Sequence, residues 1–179
     1  NYTDAGIQAS YGPIIIVSCG FNGCNYGVQV QTQAFAFTSN IAISSSTNHG
    51  ILIYTGGNIT FGGDDNVSSG GASAGITVGF NSYANATQLT STGNDGHGIL
   101  IFMNSGARLT GAVSTSNTYA GLYIYDHAAA YCDSNTTLNN NGTYGVDCRY
   151  DAFVKLLSAS TTGNGSGATN TANGGNIYT

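Results

Sequence analysis

The feature that most constrains this chain is a repeated strand signature: a glycine followed by aliphatic residues at alternate positions, clearest in Gly98-Ile99-Leu100-Ile101-Phe102. Copies recur at Gly27-Val28-Gln29-Val30, Gly50-Ile51-Leu52-Ile53, Gly75-Ile76-Thr77-Val78, Gly121-Leu122-Tyr123-Ile124 and Gly145-Val146-Asp147-Cys148, with a degraded copy at Gly6-Ile7-Gln8-Ala9. From Gly6 to Gly145 the successive lead glycines are 21, 23, 25, 23, 23 and 24 residues apart. Such a period marks a solenoid, whose single turns are too small to bury their own apolar faces and gain a core only by stacking. Alternation with a period of two inside each copy marks a strand. A leucine-rich repeat has a similar length, but these copies lack its ordered leucines and asparagine, so a parallel β-helix fits better.

Aligned on the lead glycine, each coil contains three strand segments. The first points Gly+1 and Gly+3 inward, as in Val28/Val30, Ile51/Ile53, Ile76/Val78, Ile99/Ile101, Leu122/Ile124 and Val146/Cys148. A second lies near Gly+9 and Gly+11, as in Ile59/Phe61, Ala84/Ala86, Ala107/Leu109, Ala130/Cys132 and Val154/Leu156. The third is ragged, represented by Ile41/Ile43, Val67, Leu89, Val113, Leu138 and Ala159. Near the N-terminus, Ile14-Ile15-Ile16-Val17 reads as a fully buried strand. Polar runs such as Ser91-Thr92-Gly93-Asn94-Asp95 and Asn139-Asn140-Asn141-Gly142 form corners ahead of the lead glycine. At Gly+6 the column Gln33, Gly56, Asn81, Asn104, His127, Asp151 favours bends and is expected to hydrogen-bond along the axis. The expected fold is all-β, with about seven coils of roughly 23 residues in one domain over 1–179, read as a piece of a longer polypeptide.

Only 6% of residues are charged, and Lys+Arg 3 against Asp+Glu 8 leaves a net charge of -5, which gives no footprint for nucleic acid. No apolar run reaches membrane-spanning length, so membrane insertion is not expected.

The Asn/Gly-rich corner followed by Gly-aliphatic-x-aliphatic, as in Asn141-Gly142-Thr143-Tyr144-Gly145-Val146, resembles the single-stranded right-handed parallel β-helix of the pectate-lyase-like group. That group includes pectinases, bacteriophage tailspikes and tail fibres, and some surface adhesins. The resemblance covers Gly6 to Leu157; it implies the fold and its right-handed sense, which parallel connections also favour, but not one activity. Calcium-dependent lyases of the group use a basic proton acceptor. Here Arg108, Arg149 and Lys155 lack a matching carboxylate cluster, which argues against lyase chemistry.

Two outward columns of the first strand carry Leu52, Leu100 and Tyr123 at Gly+2 and Tyr54, Phe102 and Tyr125 at Gly+4. An apolar face of that size marks a contact surface, either a homotrimer seam or a platform for sugar rings. Glycosidases need two carboxyl groups at a fixed separation, and Asp126 and Asp151 fall near one corner on adjacent coils. The plain alternative makes both aspartates turn residues. The insertion Gly62-Gly63-Asp64-Asp65-Asn66 lacks a spaced calcium pattern and reads as a solvated turn. His49 and His97 are two coils apart, too far to share a metal, and read as polar corner residues. Cys19 and Cys24 flank a tight turn and could pair if geometry permits, whereas Cys132 and Cys148 read as packing residues. No metal site and no cofactor are expected.

These readings lead to a structural and receptor-binding segment of a phage tail fibre or tailspike. It would be a homotrimer contacting host-surface glycan or envelope, in an extracellular or virion setting. A polysaccharide-degrading enzyme using Asp126 and Asp151, and a bacterial surface adhesin or passenger domain, are the alternatives.

Overall fold

The computed structural model describes residues 5–63, 65–68 and 73–179, and among them every regular element is a β-strand. Three parallel sheets wrap one core, and sheets A and B each receive one strand per coil. Sheet A contains the seven lead-glycine strands, Ala5–Ser10, Tyr26–Gln31, His49–Tyr54, Ala74–Val78, His97–Ile101, Leu122–Ile124 and Tyr144–Arg149, and an eighth, Gly167–Ala172, with Ala168 at the lead position. Sheet B contains Pro13–Val17, Phe35–Ser39, Asn58–Phe61, Tyr83–Thr87, Gly106–Thr110, Ala129–Cys132, Phe153–Leu156 and Asn176–Tyr178. Sheet C is shorter, with five three-residue strands from Gly20–Asn22 to Val113–Thr115, continued by single bridges from Val113 to Thr137 to Ser160. The result is a β-solenoid of about seven turns.

The register confirms the columns drawn from sequence. Val28 pairs with Ile51, Ile51 with Ile76, Ile76 with Ile99, Ile99 with Leu122 and Leu122 with Val146, and all six are buried. On sheet B the stack runs Ala36, Ile59, Ala84, Ala107, Ala130, Val154. Burying each valine, leucine or isoleucine of these stacks contributes about 1.5–3 kcal/mol, and the contribution exists only because the next rung covers it.

The lead glycine has a steric cause. A Cβ on Gly27 would sit 2.5 Å from Ile43 Cγ2, one on Gly121 2.7 Å from Asn141 Nδ2, and one on Gly145 2.9 Å from Asn164 Nδ2. On Gly50, Gly75 and Gly98 the added carbon would overlap Val67, Ser91 and Ser114. At each rung the end of sheet C and the start of sheet A approach too closely for any side chain.

Corners between sheets A and B carry two consecutive left-handed residues. The pairs are Tyr11–Gly12, Thr32–Gln33, Thr55–Gly56, Phe80–Asn81, Met103–Asn104, Asp126–His127, Tyr150–Asp151 and Asn173–Gly174. The Gly+6 column is therefore a bend column, as its composition predicts, and its backbone N–H groups bond along the axis to carbonyls one rung on, from Gln33 to Thr55 through Asp151 to Asn173; the ladder of side-chain amides lies elsewhere. It runs through Asn94, Asn117, Asn141 and Asn164, the first three standing four residues ahead of a lead glycine and Asn164 four ahead of Ala168: Asn94 Nδ2 donates to Asn117 Oδ1 at 2.7 Å, Asn117 Nδ2 to Asn141 Oδ1 at 2.9 Å, and Asn141 Nδ2 to Asn164 Oδ1 at 3.1 Å. Each acceptor oxygen also takes the backbone N–H of the residue that donates to it. Identical amides stacked one rung apart satisfy each other without water.

Three local readings need correction. Pro13–Val17 is not fully buried: Ile16 faces the core, whereas Ile15 is 74% and Val17 50% exposed, because a solenoid sheet has only one inner face. On sheet C the inward residues of the fifth coil are Ala112 and Ser114, so Val113 points outward. Serines replace the aliphatics there because Ser91 and Ser114 hydroxyls donate to the carbonyls of Gly98 and Gly121, both at 2.8 Å. Asp65 is not solvated. Its buried carboxylate accepts the Thr38 hydroxyl at 2.8 Å and the Ile41 N–H at 2.9 Å. Asp64 lies outside the described residues.

Candidate functional site

The outer face of sheet A brings together Leu52, Tyr54, Leu100, Phe102, Tyr123 and Tyr125. They are half-buried, and the rings of Phe102, Tyr123 and Tyr125 cover one another. Phe102 and Tyr125 stack with centroids 5.4 Å apart and planes at 8°, and Tyr123 and Tyr125 stack at 5.0 Å. Phe80 meets Phe102 edge-on at 5.4 Å, from the left-handed corner beside it. Parallel, in-register strands impose this order: one rung brings equivalent rings to stacking distance, and each pair adds about 0.5–1.5 kcal/mol beyond area burial.

Between the Leu52/Tyr54 and Leu100/Phe102 rungs the outward residues are Thr77 and Gly79, and the drop in side-chain size opens a concavity of about 320 Å³. His49 forms one wall, its Nδ1 2.9 Å from the Thr77 hydroxyl. At the other side Phe102 leans over Gly79, where a Cβ would come within 2.5 Å of the ring. Tyr54 is held at the rim by hydrogen bonds with Gln29 and Gln31.

His49 and His97 are not corner residues, since each opens a strand of sheet A. His49 stacks on Tyr26 at 5.9 Å, and His97 lies against Tyr123 at 4.6 Å and Tyr119 at 5.5 Å, its Nδ1 accepting the Ala120 N–H. Burial lowers each imidazole from 6.5 to about 4, so both are neutral at neutral pH. Asp147 is buried and takes a two-pronged hydrogen bond from Arg149, Nε to Oδ1 at 2.9 Å and Nη2 to Oδ2 at 2.8 Å. Asn170 Nδ2 donates to the same carboxylate, and the guanidinium lies 5.7 Å from the Tyr123 ring centre. The strands of sheet A thus present rings and aliphatics with their one acid–base pair closed upon itself.

Asp126 and Asp151 lie at the corner between sheets A and B, Asp126 first in its left-handed pair and Asp151 second in the pair one coil on. The Asp151 carboxylate lies 3.9 Å from His127 Nε2, both side chains being about two-thirds exposed. The Asp126 carbonyl accepts the Asn104 N–H and the Asp151 N–H donates to the Asn173 carbonyl, which are turn functions. Aspartate tolerates the left-handed region better than most residues, which suits both positions.

All four cysteines are free thiols; Cys19 and Cys24 are half-buried, and their Sγ atoms approach the Val17 and Asn22 carbonyls rather than each other. Burial pushes Cys132 up to about 12 and Cys148 up to about 11, consistent with packing roles. Among the described residues no group of three or more His, Cys, Asp or Glu could hold a metal ion, and no helix is long and apolar enough to cross a membrane.

A second surface was missed from sequence. On sheet B the outward columns Gly+8 and Gly+10 contain Tyr83, Gly106, Ala129, Phe153 and Arg108, Tyr131, Lys155, and all of these but Lys155 line a concavity of about 260 Å³. The alignment on the lead glycine that exposed the sheet A columns would have exposed these too.

Fold and faces together define a β-helix repeat protein with two decorated sheets. No protein-family model matches the chain, and neither a curated protein nor a solved structure shows significant similarity to it.

Proposed function

We propose that this chain is a structural and receptor-binding β-solenoid segment of the kind found in bacteriophage tail fibres and tailspikes. It works as a homotrimer whose seam is the outer face of sheet A, and the assembled rod contacts host-surface glycan or envelope from an extracellular or virion position. The observation that carries this reading is the neutral aromatic face: Phe102, Tyr123 and Tyr125 are fixed by mutual stacking, Tyr54 is held by Gln29 and Gln31, Asp147 and Arg149 neutralise each other, and His49 and His97 are uncharged. The centres of protein interfaces are rich in aromatics and poor in unpaired charge, as this face is. Pre-ordered rings also lose little side-chain entropy on docking.

The test is the mass in solution. Light scattering coupled to size-exclusion chromatography should give three times the 18.2 kDa of one chain, and Tyr54→Ser/Phe102→Ser should return it to monomer with its circular dichroism unchanged. A monomer at every concentration up to the millimolar range contradicts the seam.

A further inference from the structure

The chain has three basic residues against eight acidic ones, yet two of the three lie side by side on sheet B. Arg108, Tyr131 and Lys155 occupy the same outward position on consecutive rungs. The Arg108 guanidinium is 5.8 Å and the Lys155 ammonium 6.0 Å from the Tyr131 ring centre, one on either side of it. Among the described residues the only acid–base pairs within 4.0 Å are His127 with Asp151 and Arg149 with Asp147, so neither of these cations has a carboxylate partner. Both side chains are exposed, and no other residue in the strands of sheet B is charged.

Beside this ridge runs the trough. Gly106 and Ala129 form its floor, and Tyr83 and Phe153 stand at its ends, three rungs or roughly 14 Å apart. Tyr83 leans over Gly106 and is 44% exposed; Phe153 is 41% exposed and is backed by Tyr178 at 4.9 Å. Rings at the ends suit the apolar C–H faces of sugar rings, and the small floor leaves room for them. The cationic edge suits a negative substituent, and Tyr131 between the cations keeps them from collapsing onto an acid of the protein itself.

We propose that this trough binds an anionic saccharide, a stretch of about two sugar rings carrying carboxylate or sulfate groups along the Arg108–Lys155 edge. This deepens the receptor-binding reading above and rests on it, but it uses the sheet opposite in character to the proposed seam. One face is neutral and suits self-association, whereas the other is positive on a chain of net charge -5 and suits an acidic ligand.

The experiment is calorimetric titration of the intact chain with three tetrasaccharides: a heparin fragment, an alginate fragment and neutral cellotetraose. Binding of either anionic probe at least tenfold tighter than cellotetraose, weakened by raising salt from 50 to 500 mM, supports the proposal. Arg108→Gln/Lys155→Gln should then lose at least tenfold in affinity at unchanged melting temperature, since both residues are exposed, and Tyr83→Ala should weaken binding separately. Absence of binding to all three, equal binding of cellotetraose, or undiminished affinity in the double glutamine variant overturns it. If Arg108→Gln/Lys155→Gln instead dissociates an oligomer, the trough is an interface between copies and the proposal also fails. Failure of the seam alone shows separately, in the mass of the unliganded protein.

Discussion

Replacing Gly98 by alanine probes the packing rule behind the repeat. The new Cβ would overlap Ser114 Oγ and stand 2.5 Å from Asn117 Nδ2 and 2.9 Å from the Gly121 carbonyl. Two of these atoms are at work: Ser114 Oγ donates to the Gly121 carbonyl, and Asn117 Nδ2 holds the ladder at 2.9 Å from Asn141 Oδ1. Overpacking of a tight site costs about 1–3 kcal/mol. Displacing a buried polar group from its partner costs about 1–3 kcal/mol more. A destabilisation of about 4 kcal/mol follows, which for a urea dependence of about 2–3 kcal/mol/M lowers the unfolding midpoint by about 1.3–2 M. The control is Gly12→Ala, where no atom lies within 4 Å of the added carbon but φ is +82°, so backbone strain alone costs about 1–2 kcal/mol. Adding Ser114→Ala to Gly98→Ala should recover about 1–2 kcal/mol, since it removes the worst overlap. Urea unfolding followed by circular dichroism measures all three. If Gly98→Ala costs no more than Gly12→Ala, the steric account of the lead glycine is wrong.

Asn117→Ala should destabilise by about 2–3 kcal/mol and Asn164→Ala by about half as much, because only the first removes a link with an asparagine on both sides; equal losses in melting experiments would argue against a ladder. Thr55→Asn should raise stability by about 0.5–1 kcal/mol, since an exposed β-branched residue there holds φ at 55°, and a loss would show that the strain is not real. His49 and His97 have folded values near 4 against 6.5 unfolded, so the unfolded chain binds more protons between those limits. Their contribution is complete above pH 6.5 and falls away as pH drops toward 4, by up to about 3 kcal/mol each at 1.36 kcal/mol per unit. His49→Gln/His97→Gln should flatten the pH dependence of the melting temperature over that window, and an unchanged slope would contradict the burial. Thiol labelling of the native protein should reach Cys19 and Cys24 and spare Cys132 and Cys148, whereas uniform labelling would mean the core is open.

The solenoid was legible because its signal is redundant. Seven lead glycines and their inward aliphatics report the same geometry, and an error at one coil is corrected by its neighbours. Sheet C was harder to read because its strands have three residues, too few for alternation to show, and because Ser91 and Ser114 occupy inward positions where an apolar pattern looks for valine. The amide ladder was hidden for a related reason. Asn94, Asn117, Asn141 and Asn164 stand among other polar corner residues, and only the fold distinguishes a buried asparagine from an exposed one such as Asn140. Of the sheet A face, membership came from spacing alone, but the half-burial of its rings and the neutrality of His97 depend on side-chain stacking that no column alignment contains. Sheet B escaped notice because Arg108 and Lys155 are 47 residues apart in sequence and become neighbours of one tyrosine only when the rungs are stacked.

The measurement closest to the central claim is engineered cross-linking in a background with all four native cysteines replaced. Thr60 and Asn85 pair in register on adjacent rungs of sheet B, and Thr60 and Arg108 are two rungs apart. Neighbouring parallel strands put Cα atoms about 4.8 Å apart, inside disulfide range, and two rungs at about 9.6 Å lie beyond it. Thr60→Cys/Asn85→Cys should therefore oxidise to an intramolecular disulfide in the folded protein while Thr60→Cys/Arg108→Cys stays reduced. Cross-linking of the second pair, or of neither, would contradict the parallel stacking from which every face described here is built.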